Sequence, residues 1–433
     1  MGRKRVGATT IVATMLATQC GAASAVQLDY LLNAGVERND NLLLTETDPV
    51  SENILRAGIG FLLSEETSAV QTSITGSAEY RNYDAFPDAV DGTLTGRLNW
   101  NAVPERLSFT IEDNLALQSI NTLAADSPGN RQQVNVLSLG PTLFFDLARG
   151  LKGQAELRYI SSDAEVTDEF NSQRLGLALR TVKELSTTSR VSLNLQGQRV
   201  DFDNDIVARD YTRYDVFARY ARNLARFEIG LDAGYSRLAY RDGNDTRSEP
   251  LLRADLGWSP SERHRLNLRA SRQFSDAATD ALAGVEDATA TVPGTVLLGD
   301  AVVNASAYEE RRLSLGYVFT NTRLTLTFEP YINRLDYVDS NEFDQDGHGA
   351  IFDLSVHLRP RLSLGMFATL ENIAYSQLDI KQETRRYGVH VRRDWSRHWS
   401  GRIEWSRYER RSTVLGEDAD QNLLYLSMTY YNR

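Results

Sequence analysis

From Gln27 to the end of the chain the apolar residues recur at every second position, and this period of two limits the possible folds more than any other feature of the sequence. Leu55, Ala57, Ile59, Phe61 and Leu63 alternate with Arg56, Gly58 and Gly60; Leu252, Ala254, Leu256 and Trp258 alternate with Arg253, Asp255 and Gly257. Leu313, Leu315, Tyr317 and Phe319 continue the pattern, as do Leu324, Leu326 and Phe328. Side chains of a strand point to opposite faces in turn, so each such segment has one apolar and one polar face. A run of 18 or more apolar residues, the mark of a membrane helix, is missing after the N-terminal segment. With 42% hydrophobic residues and no low-complexity tract, disorder is excluded as the ground state.

The repeating segments number about 20, each ~10–14 residues long, against the ~9–11 residues that a tilted strand needs to cross a bilayer. The connections alternate between short and long. The short ones are Pro104-Glu105, Arg149-Gly150, Arg222-Asn223-Leu224, Ser259-Pro260-Ser261-Glu262, Asn321-Thr322, Arg359-Pro360-Arg361 and Arg397-His398. The long ones fall near 39–52, 84–91, 119–131, 163–169, 201–210, 241–249, 275–307, 338–349, 378–384 and 411–421. Short periplasmic turns and long outer loops are the asymmetry of an outer-membrane barrel. A soluble sandwich would have shorter strands and no such alternation. The expected fold is therefore all-β, a transmembrane barrel of about 20 antiparallel strands, or 18 if one terminal hairpin lies outside the wall. Closure follows from the solvent, because lipid offers no partner to the N–H and C=O groups of an open edge.

Trp100, Phe144, Phe145, Tyr220, Trp258, Tyr317, Phe319, Trp395 and Trp399 lie within a few residues of short turns. They are expected to form the periplasmic aromatic girdle, since amphipathic rings favour the headgroup layer. A core cluster in a sandwich is the alternative reading.

Residues 1–25 read as a secretory signal peptide: Arg3, Lys4 and Arg5, an apolar stretch from Val6 to Leu16, and the small residues Ala23-Ser24-Ala25. Cys20 would mark a lipoprotein instead, but Gln19 before it is larger than lipid attachment normally accepts. Cleavage after Ala25 leaves 408 residues, 26–433, without a cysteine, so burial and backbone hydrogen bonds must stabilise the fold. The first strand is expected to start close to that point, so no N-terminal plug domain is expected.

Charge is segregated along the chain. The ten long segments contain 33 acidic residues and 6 basic ones, namely Arg131, Arg209, Arg241, Arg247, Lys381 and Arg411, a net of −27. The rest of the mature chain is +13. Of 47 basic residues 43 are arginine, and many sit opposite the leucines: Arg97, Arg158, Arg174, Arg180, Arg213, Arg219, Arg253, Arg269, Arg312, Arg323, Arg392 and Arg402. Glu79, Glu112, Glu156, Asp215, Glu228, Asp232, Asp255, Glu329, Asp353, Glu371 and Glu404 share that face. A charge on the lipid face costs ~2–4 kcal/mol near the midplane, so both sets belong in the lumen. There the arginines either pair with carboxylates and fill the bore, or form a binding ladder for an anionic or polar polymer. The segment 275–307 has no basic residue and holds Val296-Leu297-Leu298 and Val302-Val303, so we expect it to fold into the mouth and narrow it.

No catalytic or metal-binding constellation stands out, and no enzymatic role or cofactor is expected. His264, His348, His357, His390 and His398 lack metal-ligand spacing, and no nucleophile elbow occurs. Asp344-Gln345-Asp346-Gly347 has the start of a calcium loop without its closing acid, and reads as a loop turn. Acidic outer loops would repel phosphate, which argues against nucleic acid as a partner.

Leu28-Asp29-Tyr30, Glu37-Arg38-Asn39-Asp40-Asn41 and Asn53-Ile54-Leu55-Arg56-Ala57-Gly58-Ile59-Gly60-Phe61 resemble the beta-barrel porin 2 type of outer-membrane protein, whose members are often encoded with exopolysaccharide biosynthesis genes. Only these first ~35 residues carry the motif; the remainder is similar in its hairpin repetition. One departure is the end of the chain, which runs past Tyr430 and Tyr431 to Asn432 and Arg433 where such barrels commonly stop on an aromatic residue. The resemblance implies a passive conduit for an exported polysaccharide, with the export machinery, its polymer, the barrel assembly machinery and outer-membrane lipids as partners. A general diffusion porin for small polar solutes is the alternative function.

Overall fold

The structure, a computed structural model, describes residues 26–432 apart from 122, 125, 126, 205–207, 242–245, 288–305 and 340. The expected signal peptide lies outside the described residues. Twenty strands follow one another around a ring. β1 to β5 are Gln27–Asn39, Glu52–Glu66, Val70–Tyr83, Ala89–Val103 and Leu107–Ser119. β6 to β10 are Arg131–Ala148, Leu151–Ala164, Ser172–Ser186, Ser189–Phe202 and Tyr211–Asn223. β11 to β15 are Phe227–Tyr240, Thr246–Ser261, His264–Ser275, Tyr308–Thr320 and Leu324–Tyr337. β16 to β20 are Gln345–Arg359, Leu362–Tyr375, Ile380–Asp394, Trp399–Ser412 and Ala419–Tyr431. Among the described residues one α-helix, α1, covers Ala277–Asp287 between β13 and β14.

Each strand pairs antiparallel with its neighbours in sequence, and β1 pairs with β20, which closes the ring. The closing joint pairs Leu31–Asn39 with Tyr431–Leu423, and side chains fasten it at both ends. At the outer end the Asp40 carboxylate accepts from the Asn422 backbone N–H at 2.6 Å and side-chain amide at 2.8 Å, while Asn41 donates to the Asp420 carbonyl at 3.0 Å. At the periplasmic end the Asn432 amide accepts from Tyr30 N–H at 2.8 Å and donates to the Leu28 carbonyl at 2.9 Å. The Asp/Asn motif and the residue beyond the final aromatic thus share one structural task.

The wall faces are as the alternation predicts. Leu55, Ile59, Leu175, Leu177, Leu252, Leu313, Ile403 and Leu424 are exposed on the outside. Strand length runs from the 12 residues of β13, within the expected ~10–14, to the 18 of β6, beyond it. The excess over the ~9–11 that a bilayer needs extends past the membrane. Nine turns of two to four residues alternate with ten outer connections of four to 32 residues. Two of the turns, 67–69 and 187–188, lack Gly, Pro and Asn and have no counterpart among the expected ones. Hydroxyls close both: Thr67 Oγ1 accepts from Val70 N–H at 3.0 Å, and Ser186 Oγ from Thr188 N–H at 3.2 Å.

The girdle also forms on the outer face. Trp100 stacks on Phe109 at 5.4 Å, Phe227 on Trp258 at 6.0 Å, and Trp399 meets Tyr430 edge-on at 5.2 Å. Phe145 is 40% exposed. Phe144 is a correction, since alternation with the exposed Leu143 and Phe145 turns it to the other face.

Candidate functional site in the barrel lumen

The lumen face carries a network of arginines and carboxylates. Arg56 of β2 bridges Glu37 of β1 and Glu79 of β3, both at 2.7 Å, and its guanidinium lies over the Tyr425 ring at 4.5 Å. Arg81 extends this chain from Glu79 at 2.7 Å to Asp91 at 3.0 Å. Glu112 takes Arg97 at 3.4 Å and Arg158 at 3.6 Å; Arg158 also holds Glu156 at 2.6 Å. Asp232 takes Arg219 at 3.6 Å and Arg253 at 2.9 Å, while Arg213 pairs with Asp215 at 3.2 Å. Nearer the periplasm Arg392 holds Asp394 at 3.0 Å and Arg402 pairs with Glu404. Cross-strand register places Arg97 opposite Glu112 and both Arg219 and Arg253 opposite Asp232, while Arg213–Asp215, Arg392–Asp394 and Arg402–Glu404 are pairs two residues apart on one strand and so on one face.

Other expected residues have different surroundings. Arg180 is bound to the Asn194 and Gln154 amides at 2.7 and 3.4 Å. Arg312 lies over Tyr331 at 5.2 Å, and the Tyr331 hydroxyl donates to Glu371 at 2.9 Å. Arg269 falls on the lumen face by alternation with Leu268. Glu228 meets Arg265 at 3.5 Å, and Asp255, Glu329 and Asp353 keep the lumen parity. Arg323 is a correction: it occupies the exposed turn before β15, where its backbone N–H is tied to Asn321 at 2.8 Å. Arg56, Arg81 and Arg410 were missed as site residues, although their parity matches that of Arg97.

At the outer end the lumen changes character. Phe170, Val134, Val136 and Ile160 pack around Ala277, Ala278 and Leu282 of α1. Val200, Phe202, Ala208, Tyr211, Leu238, Tyr240, Phe274 and Ala307 form a second cluster. Leu42 tucks against Ile54 and Tyr83, Leu44 against Ala419, and Phe343 against Tyr308 and Tyr337. Full burial of such a side chain is worth ~1.5–3 kcal/mol relative to water, so these contacts draw the loops inward. They form an apolar collar inside the mouth.

Polar anchors set the collar's position. Asp276 precedes α1, and its Oδ1 accepts from the backbone N–H groups of Ala278 and Thr279, both at 3.1 Å, the arrangement of a helix N-cap. The same carboxylate binds Arg174 at 2.6 Å and the Tyr211 hydroxyl at 3.1 Å. Burial opposes its ionisation, but Arg174 and Arg213 prevail and hold it at about 2. One turn further on, Asp280 accepts from Ser275 and Tyr308. Burial and the nearby Glu310 push this carboxyl up to about 6. The connection 120–130 reaches across the lumen, where the Leu123 carbonyl accepts from Arg410 at 2.5 Å and Gln382 at 3.3 Å. The expectation that 275–307 folds into the mouth thus holds for α1, while 288–305 lies outside the described residues.

Beside these loops a cleft of about 860 Å³ follows the walls formed by β1 to β3 and β18 to β20. Its lining runs from Arg361, Arg397 and Tyr431 at the periplasmic end to Leu42, Leu44 and Pro128 at the mouth. Eight arginines and five carboxylates line it, together with Tyr408, Tyr425 and Tyr431.

The histidines are dispersed. His264 meets Tyr317 at 2.9 Å in the girdle and His398 the Tyr431 carbonyl at 2.9 Å. Among the described residues no three His, Cys, Asp or Glu side chains form a group able to hold a metal ion. The segment Asp344–Gly347 is only partly a loop: Asp344 caps Tyr337 N–H at 2.7 Å, and β16 begins at Gln345.

No protein-family model and no curated protein matches this chain. Among solved structures, similar chains include the FrpB iron transporter from Neisseria meningitidis, at 9% identity and a TM-score of 0.46, covering 93% of this chain and 81% of that one. The siderophore receptor PirA from Pseudomonas aeruginosa is similar at 12% identity and a TM-score of 0.44, covering 95% and 81%. The copper transporter OprC has 10% identity, a TM-score of 0.46 and coverages of 94% and 80%. The chain is a multi-pass outer-membrane β-barrel. That statement rests on the closed ring, the apolar exterior and the aromatic girdle.

Proposed function

We propose that the barrel is a passive conduit for a polar polymer, associated with export of an exopolysaccharide. The observation that carries this reading is the cleft, which follows one side of the bore from the periplasmic turns to the mouth and is lined by arginines, carboxylates and tyrosines. Guanidinium forks and carboxylates suit sugar hydroxyls and acidic substituents, and tyrosine adds a flat apolar surface. An extended chain threads such a slot, whereas free diffusion of many small solutes requires an open bore. The collar works against an open bore and so against a general diffusion porin. The association with polysaccharide synthesis is supported by the motif resemblance at Glu37–Asn41.

Liposome swelling and gene deletion test the reading together. A conduit of this kind leaves liposomes nearly impermeable to small sugars, and its deletion removes surface polysaccharide while nutrient uptake stays normal. Rapid swelling in small sugars, or deletion that impairs uptake and spares the polysaccharide, sinks it.

A further inference from the structure

Charge at the two ends of the barrel is of opposite sign. The ten outer connections carry 25 acidic residues and 2 basic ones, Arg209 and Arg241. The nine periplasmic turns, with the two residues flanking each side, carry twelve arginines, one lysine and six carboxylates. The state of the arginines differs as well. Within the lumen most have a carboxylate within 4.0 Å, as Arg56, Arg97, Arg158 and Arg253 do. At the rim Arg106, Arg190, Arg323 and Arg359 are exposed, and among the described residues none of them has a carboxylate at ion-pair distance. Among the described residues Arg361 and Arg397, at the periplasmic end of the cleft, hydrogen-bond only neutral groups, the Trp395 carbonyl and the His398 ring.

A lumen arginine paired with wall carboxylates is already neutralised. An unpaired one at a rim projects its field into the solution beyond and draws in anions. We propose that the periplasmic rim is the intake site for an acidic polymer, a polysaccharide bearing carboxylates, and that the acidic outer loops make its passage one-directional by opposing return. This inference rests on the conduit reading and specifies the polymer's charge and its side of approach. Rim arginines raise the local concentration of carboxylated chain ends, and the cleft beginning at Arg361 and Arg397 receives them. The outer loops, at 25 acids to 2 bases, repel the same chain from outside.

The test uses the full-length protein in planar bilayers, with polygalacturonate fragments and size-matched dextran as probes added to either side. Polygalacturonate should block the current from the periplasmic side at roughly ten-fold lower concentration than from the outer side, the low end of electrostatic focusing in a charged cleft. The advantage should shrink as salt rises, because charges further apart than ~8 Å are screened at physiological ionic strength. The combined variant Arg106→Gln, Arg190→Gln, Arg323→Gln and Arg359→Gln should abolish the sidedness, and the four Arg→Lys replacements should keep most of it. Heat-modifiable migration confirms that each variant folds. Equal block from both sides, or sidedness that survives the glutamine variant, overturns the proposal. Dextran blocking as well as polygalacturonate overturns the acidic specification and leaves the conduit; swelling in small sugars with no polymer block removes the conduit itself.

Discussion

The outer and periplasmic halves of this bore are built from the same alternating strands but are held by different forces. In the outer half, strands outrun the membrane, and their inward faces bury Val136, Tyr211, Leu238 and Tyr308 against loops and α1. In the lower half the inward faces stay wet, with exposed pairs such as Arg392–Asp394 and Lys152–Glu184 at 3.0 and 4.0 Å. The contrast shows that one sequence pattern yields a dry seal or an aqueous lining according to what the connections bring to it. A four-residue connection such as 376–379 brings little, and the 32-residue one between β13 and β14 brings a helix.

The comparison breaks if the two halves respond alike to loss of a charge. Arg174→Ala in the dry half leaves the buried Asp276 carboxylate without its closest cation, and stranding such a charge costs ~3–5 kcal/mol. α1 should then leave the mouth, with a rise in single-channel conductance and no loss of the heat-modifiable barrel; unchanged conductance would mean that α1 does not narrow the path. Next in size is the inside-outside contrast of one strand. Leu177→Arg faces lipid and should cost ~2–4 kcal/mol in a folding titration, whereas Ala178→Arg faces the lumen and should cost far less. Equal costs would mean that the leucine face does not meet lipid.

A third prediction concerns pH at α1. Folding raises the Asp280 carboxyl from its ordinary 3.8 to about 6, so its contribution is present at low pH and lost as pH rises through that interval. Asp276 moves the other way, from 3.8 to about 2, and its contribution is lost as pH falls through that lower window. The helix should therefore be held most tightly near about pH 4 and loosen by on the order of 3 kcal/mol towards pH 7. Conductance should rise across the upper window and become flat in Asp280→Asn. The smallest effect belongs to the lower half: Lys152→Ala removes a pair whose members are 68% and 69% exposed, and stability should move by less than about 0.5 kcal/mol. A larger loss in the same folding titration would show that the rim is not as wet as its exposure indicates.

Much of the fold was legible because alternation is local. Strand faces, strand number and seven of the nine turns follow from windows of about ten residues. The turns at Thr67 and Thr187 escaped notice because hydroxyls close them, and Ser and Thr occur throughout the strands as well. For the site, parity placed Arg97 and Arg253 in the lumen but could not name their partners across the sheet, since register is a property of two strands, whereas Glu156 and Asp215 stand two residues from Arg158 and Arg213 on the same strands and faces. Arg323 kept the parity yet fell in a turn, as boundaries are set by the neighbouring hairpin. The collar was legible only as a hint: Leu42, Leu44, Phe170 and Phe343 are apolar residues in acidic loops, a combination with no use in a freely hydrated segment.

The joint between β1 and β20 has a consequence for assembly. Nineteen of the twenty joints link neighbours in sequence and can form as hairpins, each closing a short stretch of chain. The remaining one brings together residues some four hundred positions apart, so it has the largest entropic cost and must wait for everything else. Asp40, Asn41 and Asn432 act there as clasps on a hoop: a barrel stripped of them would still make its sheet, but as a ribbon whose two edges meet late and part first.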